Sequence, residues 1–286
     1  FWALMEEMDG SIRHILGKEL LDQHISMNDL LGFSDFFAHI IDFRSRHTAT
    51  HSQGVAETAA YLAGLAGMDG LEQQSMRLAG NLHDIGKLAV PVALLDKPGK
   101  LDDREYAVIR NHAAVCETVL RSIPGLNEIA DWACQHHERL NGKGYPHGLG
   151  AEKLSLGSRI MQVADVYTAI TEDRPYRKGM GREETIKVLR SMANKGFLDR
   201  DIVNLAVAND EQIDAVGEKV VAAALSIGPK AIEQNFVPDI PEVLLHALDA
   251  KLSRAAGLAK VAYLVSREEG GLMLAILGAK EPAQAP

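Results

Sequence analysis

Apolar positions recur at helical spacing along most of the chain. Residues 55–65 are rich in Ala and Leu, and 71–82 repeats apolar residues every three to four positions. The stretches 158–170, 182–192 and 210–225 continue the pattern. A further helix is expected over 128–137, just after Pro124 and Gly125. Pro and Gly break the pattern in two places. Pro91, Pro98 and Gly99 mark a loop over 91–101, and Gly142, Gly144, Pro146, Gly148 and Gly150 make 141–150 the densest loop signal.

The chain divides into an N-terminal helical lead-in (1–45), a core (46–209) and a C-terminal extension (210–286). In the lead-in, Leu30, Leu31, Phe33, Phe36, Phe37, Ile40 and Ile41 suffice for a packed helix, which either serves signal transmission or dimerisation or caps this domain's own core. In the extension, Val261, Tyr263 and Val265 alternate ahead of a Gly-containing turn. A small β-hairpin over 260–277 is expected there, with a helix as the competing reading.

The 286 residues carry a formal net charge of -9. That excludes broad binding to nucleic acid or anionic membrane, which wants a basic surface. A small anionic substrate remains open, because a few local cations suffice. Cys116 and Cys134 form no CxxC pair and no disulfide framework, as expected of a reduced, cytoplasmic chain. No apolar run is long enough to span a bilayer. The chain starts at Phe1, so a sensor domain or anchor upstream is compatible with the sequence.

Histidine placement changes the picture most. Most of the 11 histidines fall between His47 and His147. His47 and His51 are four apart, His83 adjoins Asp84, His136 adjoins His137, and His112 stands between them. Asp165 lies inside an apolar helical run, where a carboxylate needs a cation or a metal. An ion pair with Arg159 or Arg174 is the plain alternative. Imidazoles with carboxylates suit Fe, Mn, Co, Ni or Zn. If His83 and Asp84 share a helix, they point about 100° apart, and Asp84 can bridge two ions of which His83 binds one. Two such ions form a clamp for displacement at phosphorus. His14, His24, His39, His147 and His246 are not expected to ligate.

These residues are carried by ordered motifs. The chain reads His83-Asp84-Ile85-Gly86-Lys87, then Leu95-Asp96-Lys97-Pro98-Gly99, then His112. It continues with His136-His137-Glu138-Arg139-Leu140-Asn141-Gly142-Lys143-Gly144-Tyr145-Pro146, then Asp165-Val166-Tyr167 and Asp173-Arg174-Pro175-Tyr176-Arg177. In this they resemble the HD-GYP family, a branch of the HD phosphohydrolases, over about residues 40–208.

The resemblance implies an all-α HD-superfamily helical bundle and a bacterial second-messenger hydrolase acting on cyclic di-GMP. It implies metal ligation by His51, His83, Asp84 and Asp165 on one ion, and by Asp84, His112, His136 and His137 on the other. A hydroxide bridging the ions would be the nucleophile, giving linear pGpG and then GMP. Iron or manganese is the expected metal, with Ni, Co or Zn as alternatives. His47 stands where some members carry a third-metal Glu, and either ligates or lines the pocket. Thr168 stands where many carry Asp, which weakens a third site. Lys87 is expected to reach the scissile phosphate. Arg174, Arg177, Lys143 and Tyr145 are candidate substrate contacts, and Glu138 a residue that orients a ligand histidine. The Gly-rich loop is linked in the family to GGDEF-domain partners, and a homodimer is a further expectation. Alternative readings are a phosphodiesterase for hybrid cyclic GMP-AMP and a cyclic-dinucleotide sensing module without turnover.

Overall fold

A computed structural model describes residues 26–44, 50–173 and 178–226. Its helices are α1 (Met27–Arg44), α2 (His51–Leu65), α3 (Gly70–Leu82), α4 (Val92–Leu95), α5 (Asp103–Arg110), α6 (His112–Leu120) and α7 (Asn127–Cys134). They continue with α8 (Leu156–Thr171), α9 (Arg182–Asn194), α10 (Arg200–Ala208) and α11 (Asp210–Ser226). Short 3-10 turns occupy Ile85–Ala89 and Ala151–Lys153. No strand occurs among the described residues; an isolated antiparallel bridge joins Asn141 and Gly150. The all-α expectation holds. The expected C-terminal hairpin lies outside the described residues, as do His47, Arg174 and Arg177.

Local chemistry sets several helix starts. Asp69 accepts from the backbone of Leu71 and Glu72, and Glu72 returns a carboxylate to the Asp69 N–H, a capping box that opens α3. Asp102 and Glu105 do the same for α5. The ends differ from the sequence reading in one place. The helix expected over 128–137 stops at Cys134, leaving His136 and His137 in the turn beyond. There the His136 Nδ1–H donates to the Ala133 carbonyl at 2.5 Å, a group that a continuing helix would have paired with the next turn.

The core sits between α2, α3 and α8, with α1 and α11 packed on its flanks. Leu62, Met76, Leu78, Leu120, Ile160, Met161, Leu189 and Ile213 are fully buried. Each such side chain is worth roughly 2 kcal/mol of apolar burial. Phe33, Phe37 and Ile41 of α1 join the same core, so the described part of the lead-in is one of its walls. No described helix is long and apolar enough to cross a membrane.

Candidate metal centre

Three helices are each followed, within two residues, by a histidine whose ring bonds back to the last turn. His83 follows α3, and its Nδ1–H donates to Gly80 O at 2.6 Å. His112 follows α5, and its Nδ1–H donates to Ile109 O at 2.6 Å. His136 follows α7 and uses Ala133 O in the same way. A carbonyl only accepts, so each Nδ1 carries the proton and each Nε2 presents a lone pair. Those Nε2 atoms converge. His112 and His136 are 3.4 Å apart at Nε2, and His83 and His136 rings meet edge-on at 4.9 Å.

Asp84 stands between them, in the turn between α3 and the 3-10 segment rather than on a helix as the sequence reading assumed. Its Oδ2 lies 3.3 Å from His83 Nε2. Its Oδ1 lies 3.4 Å from His112 Nε2 and 4.0 Å from His136 Nε2. One oxygen thus faces each half of the cluster. Lys87 pairs with Asp84 Oδ2 from one turn further on. Asp165, from the middle of α8, places Oδ1 3.3 Å from His51 Nε2 and 3.9 Å from His83 Nε2. Arg159, the alternative partner considered for Asp165, pairs with Asp199 instead.

The donor atoms fall into two groups, His51 with His83 and Asp84, and His112 with His136 and His137, each closing within 4.8 Å. His83 Nε2 and Asp84 Oδ1 are buried without a hydrogen-bond partner. Buried polar atoms are normally satisfied, so orphans aimed at one centre fit a cation there.

The charges divide along the same line. Burial alone would lower the His51 imidazole, but Asp165 and Glu172 outweigh it and hold it up at about 10. Burial, His137 and His83 push His136 well down, and burial takes His137 to about 4. His112 is also lowered, by burial first. Burial would raise Asp84, yet Lys87 and His83 hold it well below the usual carboxylate range. Burial would lower His83 too, but Asp84 and Asp165 raise it. The second group thus already holds the neutral imidazoles a metal requires, whereas His51 and His83 keep protons that a metal would displace.

Two residues that sequence reading missed support His51. Glu172, just past α8, sets Oε2 3.4 Å from His51 Nδ1 and accepts from Thr50 at 3.3 Å. Asp42, on α1, accepts the backbone N–H of Ser52 at 2.9 Å and its hydroxyl at 2.7 Å. Glu172 had a readable signal, since it stands seven positions beyond Asp165, where a helix continued by one residue would bring it to the same face. Asp42 had none.

The Gly-rich loop is anchored differently from expectation. Glu138 does not orient a histidine. Its carboxylate accepts three loop N–H groups, from His147 at 2.6 Å, Gly148 at 3.1 Å and Leu149 at 2.9 Å. Gly144 crosses the Glu138 backbone so closely that a Cβ would sit 2.4 Å from Glu138 Cα. This brings Tyr145 against the His137 ring at 4.7 Å, while the Lys143 side chain stays exposed. The Thr168 hydroxyl is buried without a hydrogen-bond partner, and its methyl faces Gly54.

With this geometry in view, a family model described as "HD domain" matches residues 35–202. The chain belongs to the HD domain family. Its Gly-Tyr-Pro loop is that of the HD-GYP type. This HD domain is 37% identical over 213 residues to a 3'3'-cGAMP-specific phosphodiesterase of Vibrio cholerae, covering 74% of the chain and 49% of the relative. It is 49% identical over 113 residues to a cyclic di-GMP phosphodiesterase of Pseudomonas aeruginosa, covering 38% of the chain and 27% of the relative. The chain therefore spans about half the length, or less, of these curated relatives. Among solved structures, a cyclic GMP-AMP specific phosphodiesterase of V. cholerae shares the fold with TM-score 0.52 at 14% identity, over 79% of this chain and 59% of that one. Divalent metal binding follows from the family, and the two donor groups are where this HD domain offers it.

Proposed function

We propose that this chain is a metal-dependent phosphodiesterase that hydrolyses cyclic di-GMP to linear pGpG and onward to GMP. The observation that carries the reading is the convergence of His51, His83, Asp84, His112, His136 and His137 into two abutting donor groups, with Asp84 between them and Asp165 against the first. When bound, two divalent ions supply a water of lowered pKa and a positive clamp on the phosphodiester. The first ion is assigned to His51, His83, Asp84 and Asp165, and the second to Asp84, His112, His136 and His137. Iron or manganese suits these imidazole and carboxylate donors, and Ni, Co or Zn would be accepted by the same set.

The protein's own part is positioning. The ring-capped histidines hold their Nε2 atoms in place before any ligand arrives, so little reorganisation is needed. Lys87, beside Asp84, offers a cation to a non-bridging phosphate oxygen. The loop pinned by Glu138 sets Tyr145 at the rim, with Lys143 outward toward substrate or a GGDEF-domain partner. Arg174 and Arg177 remain candidate phosphate contacts and His47 a candidate third ligand. The catalytic unit is assigned to 46–209, with a homodimer as the proposed assembly. A second reading, hydrolysis of hybrid cyclic GMP-AMP, is favoured by three relatives that bear that name, at 37%, 39% and 37% identity.

The test is turnover of cyclic di-GMP, cyclic GMP-AMP and cyclic di-AMP side by side, with products resolved by chromatography. Cyclic di-GMP as the best substrate, giving pGpG first, supports the first reading. A clear preference for the hybrid supports the second, and binding without cleavage points to a sensing module.

A further inference from the structure

Arg110 ends α5 two residues before His112, at the mouth of the metal centre. Its guanidinium carbon lies 4.5 Å from the centre of the Tyr145 ring and 5.8 Å from that of Tyr106. Tyr145 in turn packs on His137, a member of the second donor group. Tyr106, Arg110, Tyr145 and His137 thus form a continuous ladder from the surface to the proposed metals. Tyr106 is 48% exposed, and Arg110 is exposed as well.

Arg110 has no ion-pair partner among the described residues, although the chain carries more acidic than basic groups. The helix C-terminus alone would favour a cation here in any orientation. The aromatic contacts do more, because two rings at cation–π distance confine the guanidinium without using its hydrogen-bond donors. Its in-plane N–H donors are left free for a planar, two-acceptor edge. The guanine O6 and N7 pair is such an edge, and adenine offers an amino donor in place of O6. The exposed Tyr106 ring supplies a surface on which the same base can stack.

We propose that Arg110, held by Tyr145 and Tyr106, is a specificity residue that reads the guanine edge of the cyclic dinucleotide. The inference rests on the phosphodiesterase reading and adds a base contact to it. A phosphate contact at this place would be the same for cyclic di-GMP and cyclic di-AMP, whereas a guanine edge is offered by cyclic di-GMP and not by cyclic di-AMP.

The experiment compares wild type with R110A, R110K and Y106A, all metal-loaded. KM and kcat are read for cyclic di-GMP and cyclic di-AMP, with bis(p-nitrophenyl) phosphate as a substrate that has no base. R110A and R110K are both expected to raise KM for cyclic di-GMP about tenfold, as loss of one bidentate base contact does. The preference for cyclic di-GMP over cyclic di-AMP should fall with it, and Y106A should raise KM for both dinucleotides. Recovery of wild-type KM in R110K would overturn the proposal in favour of a charge-only phosphate contact. Equal losses on cyclic di-GMP and cyclic di-AMP in R110A would also overturn it. A wild type that cleaves bis(p-nitrophenyl) phosphate but no cyclic dinucleotide contradicts the parent reading, and this inference with it.

Discussion

Asp42 holds Ser52 by two hydrogen bonds, accepting its backbone N–H at 2.9 Å and its hydroxyl at 2.7 Å. A carboxylate borrowed from α1 therefore caps the start of α2, one residue from His51. The first turn of α2 has no acid of its own, and Thr50 makes no side-chain cap. The cap fixes where α2 begins and with it the reach of His51 toward Asp165.

That cap titrates. Burial lifts Asp42 to about 6, against the His51 charge and the Ser52 hydrogen bonds that pull it down. A carboxyl raised on folding binds its proton more tightly in the folded chain. Its contribution to stability is therefore full below the ordinary value of 3.8 and is lost as pH rises through about 6. Asp42→Asn removes this titration. The stability advantage of wild type over Asp42→Asn should shrink by on the order of 2 kcal/mol between pH 4 and pH 7.5. Urea unfolding of both proteins across that range checks it, and parallel pH profiles would contradict it.

Glu172→Gln tests the carboxylate behind His51. The substitution keeps size and removes the charge that faces His51 Nδ1 at 3.4 Å. Loss of such a partner typically weakens metal binding by about 10–100-fold. Chelator-competition titration measures this directly. Unchanged affinity would mean that Asp165 alone orients the ring.

Gly86 should tolerate no side chain. A Cβ there would lie 1.9 Å from the His112 carbonyl oxygen, in a 3-10 turn packed on α6. Gly86→Ala is expected to cost roughly 3 kcal/mol or more and to misplace His112 relative to Asp84. Gly217→Ala is the control, in a helix where a Cβ meets nothing within 4 Å, and should stabilise by about 0.5–1 kcal/mol. Thermal unfolding of the two variants should therefore move in opposite directions.

Glu138→Ala leaves three loop N–H groups without their acceptor. The loop should become protease-sensitive near His147, and KM for a cyclic dinucleotide should rise more than kcat falls. Limited proteolysis and steady-state kinetics read the two effects. A fall confined to kcat would place Glu138 in the chemistry instead.

What sequence made legible was which histidines and aspartates converge, because the motif residues are few in type and fixed in spacing. The helices over 71–82 and 182–192 were equally readable from periodicity, and α3 and α9 cover them. Contacts between distant segments were not. Thr50 and Glu172 meet across 122 positions, and no local pattern announces such a pair. Asp42 hid in a stretch read as a lead-in, whose Phe37 and Ile41 prove to line the common core. Glu138 was misassigned because adjacency to His137 suggested contact, whereas its side chain turns to the loop backbone. The early end of α7 also escaped the pattern, since His136 itself takes the carbonyl that would have extended it.

The central claim is that Asp84 joins two metals into one phosphodiesterase site. Anaerobic turnover of cyclic di-GMP by protein loaded with Fe(II) or Mn(II), with metal counted per chain, tests it against Asp84→Ala. The account predicts about two ions per chain and pGpG formation in the wild type, with ions and activity both lost in the variant. Full loading of wild type with no cleavage of any cyclic dinucleotide would contradict it, as would an Asp84→Ala protein that keeps its metals and its rate.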